Sequence, residues 1–253
     1  MVRPLKPLAL LGAFLILVMA GGILVLSGLF RTAPPVTVTD AVLVPMGDGL
    51  ALTLAIDNPG GPDRLLGVSA EAGRLPFMNA GGAEVLAIPA GAKPSLSMDG
   101  AHAMLTGLDD AEDGRLVPVT LDFEVAGAVA TRARIDSAAA MSHDESYVVP
   151  EDETAPTITL EAEAFEGGWL IRIATTDFTF DPDAVDAAHV PGAGHAHMYL
   201  NGLKLGRVFS GEYRIGTLPP GTHSLRVALN TNDHRAYATA DGPVSASVTL
   251  TAD

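Results

Sequence analysis

His102 and Met104 stand two residues apart in Ser97-Met98-Asp99-Gly100-Ala101-His102-Ala103-Met104-Leu105, a run that otherwise reads as a β-strand. Strand side chains alternate between faces, so this imidazole and this thioether point the same way. That pairing suits a soft or borderline ion, Cu(I) above all. Against it stands the ordinary use of methionine as a filler of irregular core gaps, open to Met78, Met98 and Met104 alike. The chain has no cysteine, so disulfides and thiolate sites are excluded and any soft-metal site must draw on Met and His.

Five of the seven histidines, His189, His195, His197, His223 and His234, fall in the last third of the chain. His195 and His197 share a strand face, with Met198 on the other side. If His195, His197 and His234 converge, with His223 as a further candidate, imidazoles alone would suit Cu(II) or Zn(II). The competing role is the anchoring of loops by hydrogen bonds. Met141 and His143 repeat the soft pairing in reverse order within a connector, either as an auxiliary ligand arm or as a chance pair in solvent.

The elements that must position these residues are strands. Hydrophobic residues make up 48% of the 253, aromatics only 5%, and there are 27 glycines and 18 prolines. An aliphatic core interrupted by frequent turn formers favours sandwiches and barrels over helices. The formal net charge of -15 repels a polyanion and argues against nucleic acid as a partner. It serves solubility, and it is also a field that attracts cations.

Leu8 to Phe30 runs for 23 residues without a charge, preceded by Arg3 and Lys6. As a helix it would be about 34 Å long, enough to cross a bilayer core. The positive-inside rule keeps Arg3 and Lys6 cytoplasmic, so residues 1–31 read as a membrane anchor and the remainder as exported, to the periplasm in a bacterium. A cleaved signal segment ending near Val18-Met19-Ala20 would export the body equally.

From residue 36 to 136 short alternating segments follow one another: Val36-Thr37-Val38-Thr39, Leu50 to Ile56, Leu65 to Ala70, Glu84 to Ile88, Pro94 to Leu105, and a closing hairpin of Leu116 to Val125 with Ala128 to Ile135. Their spacing and Gly/Pro turns predict a Greek-key barrel or sandwich. Residues 137–156 are rich in small and acidic residues and read as a flexible linker. Residues 157–253 predict a second β-sandwich, with a hairpin turn at Glu166-Gly167-Gly168 and another at Asn201-Gly202, the strongest short-range hairpin signal in the chain.

The order of motifs in the first half resembles the PCuAC family: Ile56-Asp57-Asn58-Pro59-Gly60, then Asp63-Arg64-Leu65-Leu66-Gly67-Val68, Ile88-Pro89-Ala90-Gly91, Gly100-Ala101-His102-Ala103-Met104-Leu105, and Asp113-Gly114 ahead of Val117-Pro118-Val119-Thr120-Leu121-Asp122-Phe123. The resemblance implies a cupredoxin-like β-barrel, Cu(I) held by two His and two Met, and delivery of copper toward a cytochrome c oxidase subunit or its assembly factors. His102 and Met104 match the family's His-x-Met. Upstream only Met78 stands where a ligand belongs, and the loop from Met78 to Glu84 looks shortened. The implied set is therefore Met78, His102 and Met104, with Met98 as a substitute. The pattern Gly-His-x-His before a hairpin is loosely similar to small exported domains found near metal-handling proteins.

No nucleophile elbow, phosphate-binding glycine loop or His-Glu-x-x-His helix is present in the sequence, and no carboxylate pair stands out as an acid/base couple. The sequence thus predicts an all-β, membrane-anchored copper carrier that is not an enzyme. The other class it allows is an envelope interaction or assembly module built of two sandwiches.

Overall fold

Backbone pairing begins at the hairpin of Thr37–Met46 with Gly49–Asp57. The structure is a computed structural model that describes residues 35–108, 110–141 and 146–253. Thr37–Met46 runs parallel to Gly127–Ile135, which pairs in turn with Leu116–Phe123 and through it with Asp63–Ala70. On the other side, Gly49–Asp57 pairs with His102–Leu105, and that strand with Phe77–Met78. Gly73–Leu75, hydrogen-bonded to Asp63–Ala70, continues across Pro76 into Phe77–Met78, so the ladder returns to its start as a barrel. Pro76 has no N–H to give, but its carbonyl accepts the Met104 N–H at 3.0 Å and keeps the seam closed. Leu43, Leu52, Ile56, Leu65, Leu105, Leu121 and Ile135 fill the interior.

The second half layers the three-stranded sheet Thr157–Phe165, Gly168–Thr176 and Glu212–Gly216 over the ladder of Leu203–Val208, Ala193–Leu200, Gly221–Asn230 and Ser245–Ala252. Ile171, Ile173, Met198, Leu200, Leu225, Val227 and Leu250 form a second core. Among the described residues, helical structure is confined to the 3₁₀ turns Ser137–Met141 and Pro182–Ala184. The all-β class is as the residue pattern predicts. Among these residues no helix is long and apolar enough to cross a membrane. The apolar run 8–30 lies outside the described residues.

The two cores sit within one compact unit, residues 35–253. The halves meet through a strand contact, Ser95 opposite Lys204, and through Ala101 N–H donating to Gly202 O at 2.8 Å. The Asn201-Gly202 turn closes Leu200 onto Leu203, with φ of 49° and 85° at its two residues, and its tip seats against Asn79 and Ala80 of the first half. The stretch read as a flexible linker contributes structure. Ser146–Val148 adds a parallel strand to Ala236–Thr239, because Tyr147 turns inward onto Tyr237 while its hydroxyl donates to Glu153 at 2.8 Å.

Candidate functional site

His102 begins its strand, and its ring is 1% exposed. Its Nδ1–H donates to the Gly100 carbonyl at 3.1 Å, which leaves the lone pair on Nε2 as the atom available to an ion. Met78 is its direct partner across the antiparallel ladder, on the same face, and is 46% exposed. Met104 lies two residues on and is half-buried, with its methyl over Gly49. Met98 is half-buried in the turn before the strand. The structure thus sets Met78 beside His102 and carries Met104 on the same strand. Met141 falls in a 3₁₀ turn, and His143 lies outside the described residues.

A tighter cluster stands in the second half. Ala193–Leu200 is buried on both faces. Ala196, Met198 and Leu200 enter the core, while His195, His197 and Tyr199 line the opposite side. His195 pairs with Asn230, and the chain beyond it turns back through Thr231 N–H to Arg235 O at 2.9 Å, which swings His234 over the same face. His195 Nε2 lies 3.0 Å from His197 Nε2 and 3.2 Å from His234 Nδ1. The three donor nitrogens all lie within 4.8 Å of one another. His223 is elsewhere: its Nε2–H donates to Pro219 O at 2.9 Å and its Nδ1 accepts from the Asn201 amide at 3.2 Å, so both ring nitrogens are spent on a turn. As a ligand candidate it is therefore replaced by its loop-anchoring role.

The pattern of residues did not disclose the carboxylates behind this cluster. Asp99 reaches over from the first half, and its Oδ2 accepts from His197 Nδ1 at 2.8 Å, Lys204 Nζ at 2.6 Å and the Tyr199 hydroxyl at 2.9 Å. Burial raises the Asp99 pKa, but the His197 hydrogen bond and the Lys204 charge outweigh it and hold the carboxyl well below its usual range. Asp186 accepts from His234 Nε2. Tyr199 was legible as the next residue on the His195–His197 face; Asp99 had no such signal.

Burial drives His195 down to about 3, with His197 and His234 adding to the shift, and burial likewise lowers His197 against the pull of Asp99. A base that the fold keeps neutral contributes its stability above the ordinary value of 6.5 and loses it as pH falls toward about 3. The metal-free chain therefore loses about 2 kcal/mol between pH 7 and pH 5 through His195 alone. Urea midpoints at the two pH values check this. A His195→Asn variant should shed that part of the slope, and an unchanged slope would refute it.

Residues 36–135 match the model of the LpqE-like lipoprotein family. A structure titled as the copper-bound PCuAC domain from PmoF2 is 21% identical, with 42% of this chain and 97% of that chain covered and a TM-score of 0.38. Residues 36–135 are similar to LpqE-like lipoproteins. The apo PCuAC domain from PmoF1 is 26% identical over 42% of this chain and 98% of its own, with a TM-score of 0.37. A Salmonella enterica structure of the SafA pilin with the SafB chaperone is 11% identical, covering 87% of this chain and 98% of that one, at a TM-score of 0.26. No curated protein matches the chain. His102, Met104, Met78 and Asp99 all belong to the half matched by the LpqE-like model, whereas the three clustered histidines lie beyond the matched residues.

Proposed function

We propose that this chain is an exported copper chaperone whose PCuAC-like half takes Cu(I) as cargo through His102, Met78 and Met104, with Met98 within the turn beside them. The observation that carries the reading is the buried His102, its Nδ1–H committed to Gly100 O and its cross-strand partner a methionine. A single imidazole flanked by thioethers is a donor set matched to Cu(I), and its half-exposed methionine offers the surface access that transfer needs. The likeness of residues 36–135 to LpqE-like lipoproteins and to a copper-bound PCuAC domain supports export and a copper cargo. Further elements of the proposal are anchoring through residues 8–30 at the periplasmic face of the membrane, delivery toward a cytochrome c oxidase subunit or its assembly factors, and two domains, one for each core. Binding and release account for the whole activity; no reaction is assigned.

Cu(I) titration of the full-length chain against a competing chelator tests it. Wild type should hold one equivalent at this site, and His102→Ala and Met78→Leu should each weaken it by at least about tenfold, the effect of losing 1.4 kcal/mol. Binding as tight in both variants as in wild type contradicts the reading and returns the chain to an assembly module.

A further inference from the structure

We infer that His195, His197 and His234 form a second metal site, for a divalent ion of the Cu(II) or Zn(II) type, with one coordination position open to a cavity. Its ligands lie outside the PCuAC-like half, and it stands or falls independently of the His102 reading.

Two of the three rings are held by a carboxylate with a chosen nitrogen inward. The Nδ1–H of His197 is committed to Asp99 at 2.8 Å, so Nε2 faces the cluster with its lone pair. His234 gives its Nε2–H to Asp186, so Nδ1 faces in. His195 Nε2 lies between the two, and its Nδ1 is buried without a hydrogen-bond partner. Three rings thus aim donor atoms at one point, at separations of 3.0 and 3.2 Å that suit neighbouring ligands on one ion. Carboxylates behind two of them are the usual second layer of a histidine metal site, fixing tautomer and raising basicity.

The local backbone is bent to serve this arrangement. His234 adopts φ of 70° and Asp186 φ of 65°, left-handed conformations that non-glycine residues take at a cost of about 1 kcal/mol or more each. They are pinned by His234 N–H to Thr231 O at 3.1 Å, Asn230 Nδ2 to His234 O at 3.2 Å, and Asp186 N–H to Asn232 O at 3.0 Å.

The donor set names the ion class. Three imidazoles with neither thioether nor thiolate favour borderline divalent ions, Cu(II) ahead of Zn(II) in affinity. Three protein ligands leave a position for water or a small anion. A cavity of about 250 Å³ meets His197 and His234 and is also lined by Tyr199 and Arg226, whose guanidinium stacks 4.1 Å over the Tyr199 ring. Asp99 belongs to the other half of the molecule, so it acts as a positioning residue across the junction.

The test uses the purified full-length chain, stripped of metal and titrated separately with Cu(II) and Zn(II). Cu(II) is followed by electron paramagnetic resonance and Zn(II) by competition with a chromophoric chelator. One equivalent of Cu(II) should show nitrogen hyperfine structure from imidazoles and should displace Zn(II) competitively; binding of only one of the two ions still supports the site and identifies its metal. The signal should persist in His102→Ala. Removing the carboxylate behind His197, as Asp99→Asn, should weaken binding by about 10–100-fold and alter the Cu(II) spectrum, which a merely structural role would leave unchanged. His234→Ala, a change on a loop outside both cores, should weaken it further still. Wild-type affinity in His234→Ala, or loss of the signal in His102→Ala instead, overturns the inference.

Discussion

Replacing Asp99 by alanine should lower the stability of the folded chain by about 3 kcal/mol at neutral pH, among the largest single-site losses outside the cores. One oxygen of this carboxylate accepts from His197, Lys204 and Tyr199, drawing three groups of the second half onto a turn of the first. The Lys204 side chain is only 15% exposed, and without Asp99 its ammonium loses the anion beside it. Breaking a buried pair from one side costs about 3–5 kcal/mol, and the 24% exposure of Asp99 places this case at the lower end. The exposed pair of Lys93 with Asp57 is the contrast: Lys93→Ala should change stability by less than about 0.5 kcal/mol. Because the Asp99 pKa is depressed, its contribution is complete above about 3.9 and fades only as pH falls through the depressed value. Urea unfolding at pH 7 measures both variants, and equal, small losses would show that the carboxylate does not hold the junction.

Gly202→Ala should cost about 2–4 kcal/mol, the sum of a left-handed backbone and a steric overlap. Gly202 has φ of 85°, and a Cβ there would meet Asn79 O at 2.2 Å and Ala80 Cα at 2.9 Å, both backbone atoms that cannot swing aside. Gly73 provides the control. Its φ of 102° is also left-handed, but nothing lies within 4 Å of a Cβ, so Gly73→Ala should cost about 1 kcal/mol. The difference between the two variants measures how closely the hairpin tip seats on the first half. Equal losses would mean that the tip does not bear on Asn79.

The Asn201-Gly202 hairpin was legible because its turn chemistry is local, and so was the shared face of His195 and His197, which follows from the two-residue period of a strand. His234 could be suspected as a ligand but not placed, since its position depends on a loop folding back over Asn230. Asp99 behind His197 was not legible at all. The two residues come from different halves, and the docking of the halves, with Ala101 on Gly202 and Ser95 opposite Lys204, brings them together. The two roles open to His223 look the same in the residue pattern; its ring, early in the strand Gly221–Asn230, ties down Pro219 O and the Asn201 amide. The strand Ser146–Val148 hid among acidic residues because a single inward Tyr147 anchors it. The spacing of His102 and Met104 correctly placed both on one strand, but could not show Met104 leaning over Gly49.

X-ray absorption at the copper edge on the full-length chain carrying one equivalent of Cu(I) tests the central claim most directly. The account predicts sulfur scatterers together with at least one imidazole, with the sulfur contribution reduced in Met78→Leu and in Met104→Leu. A first shell of nitrogen and oxygen alone, unchanged in both variants, would contradict it.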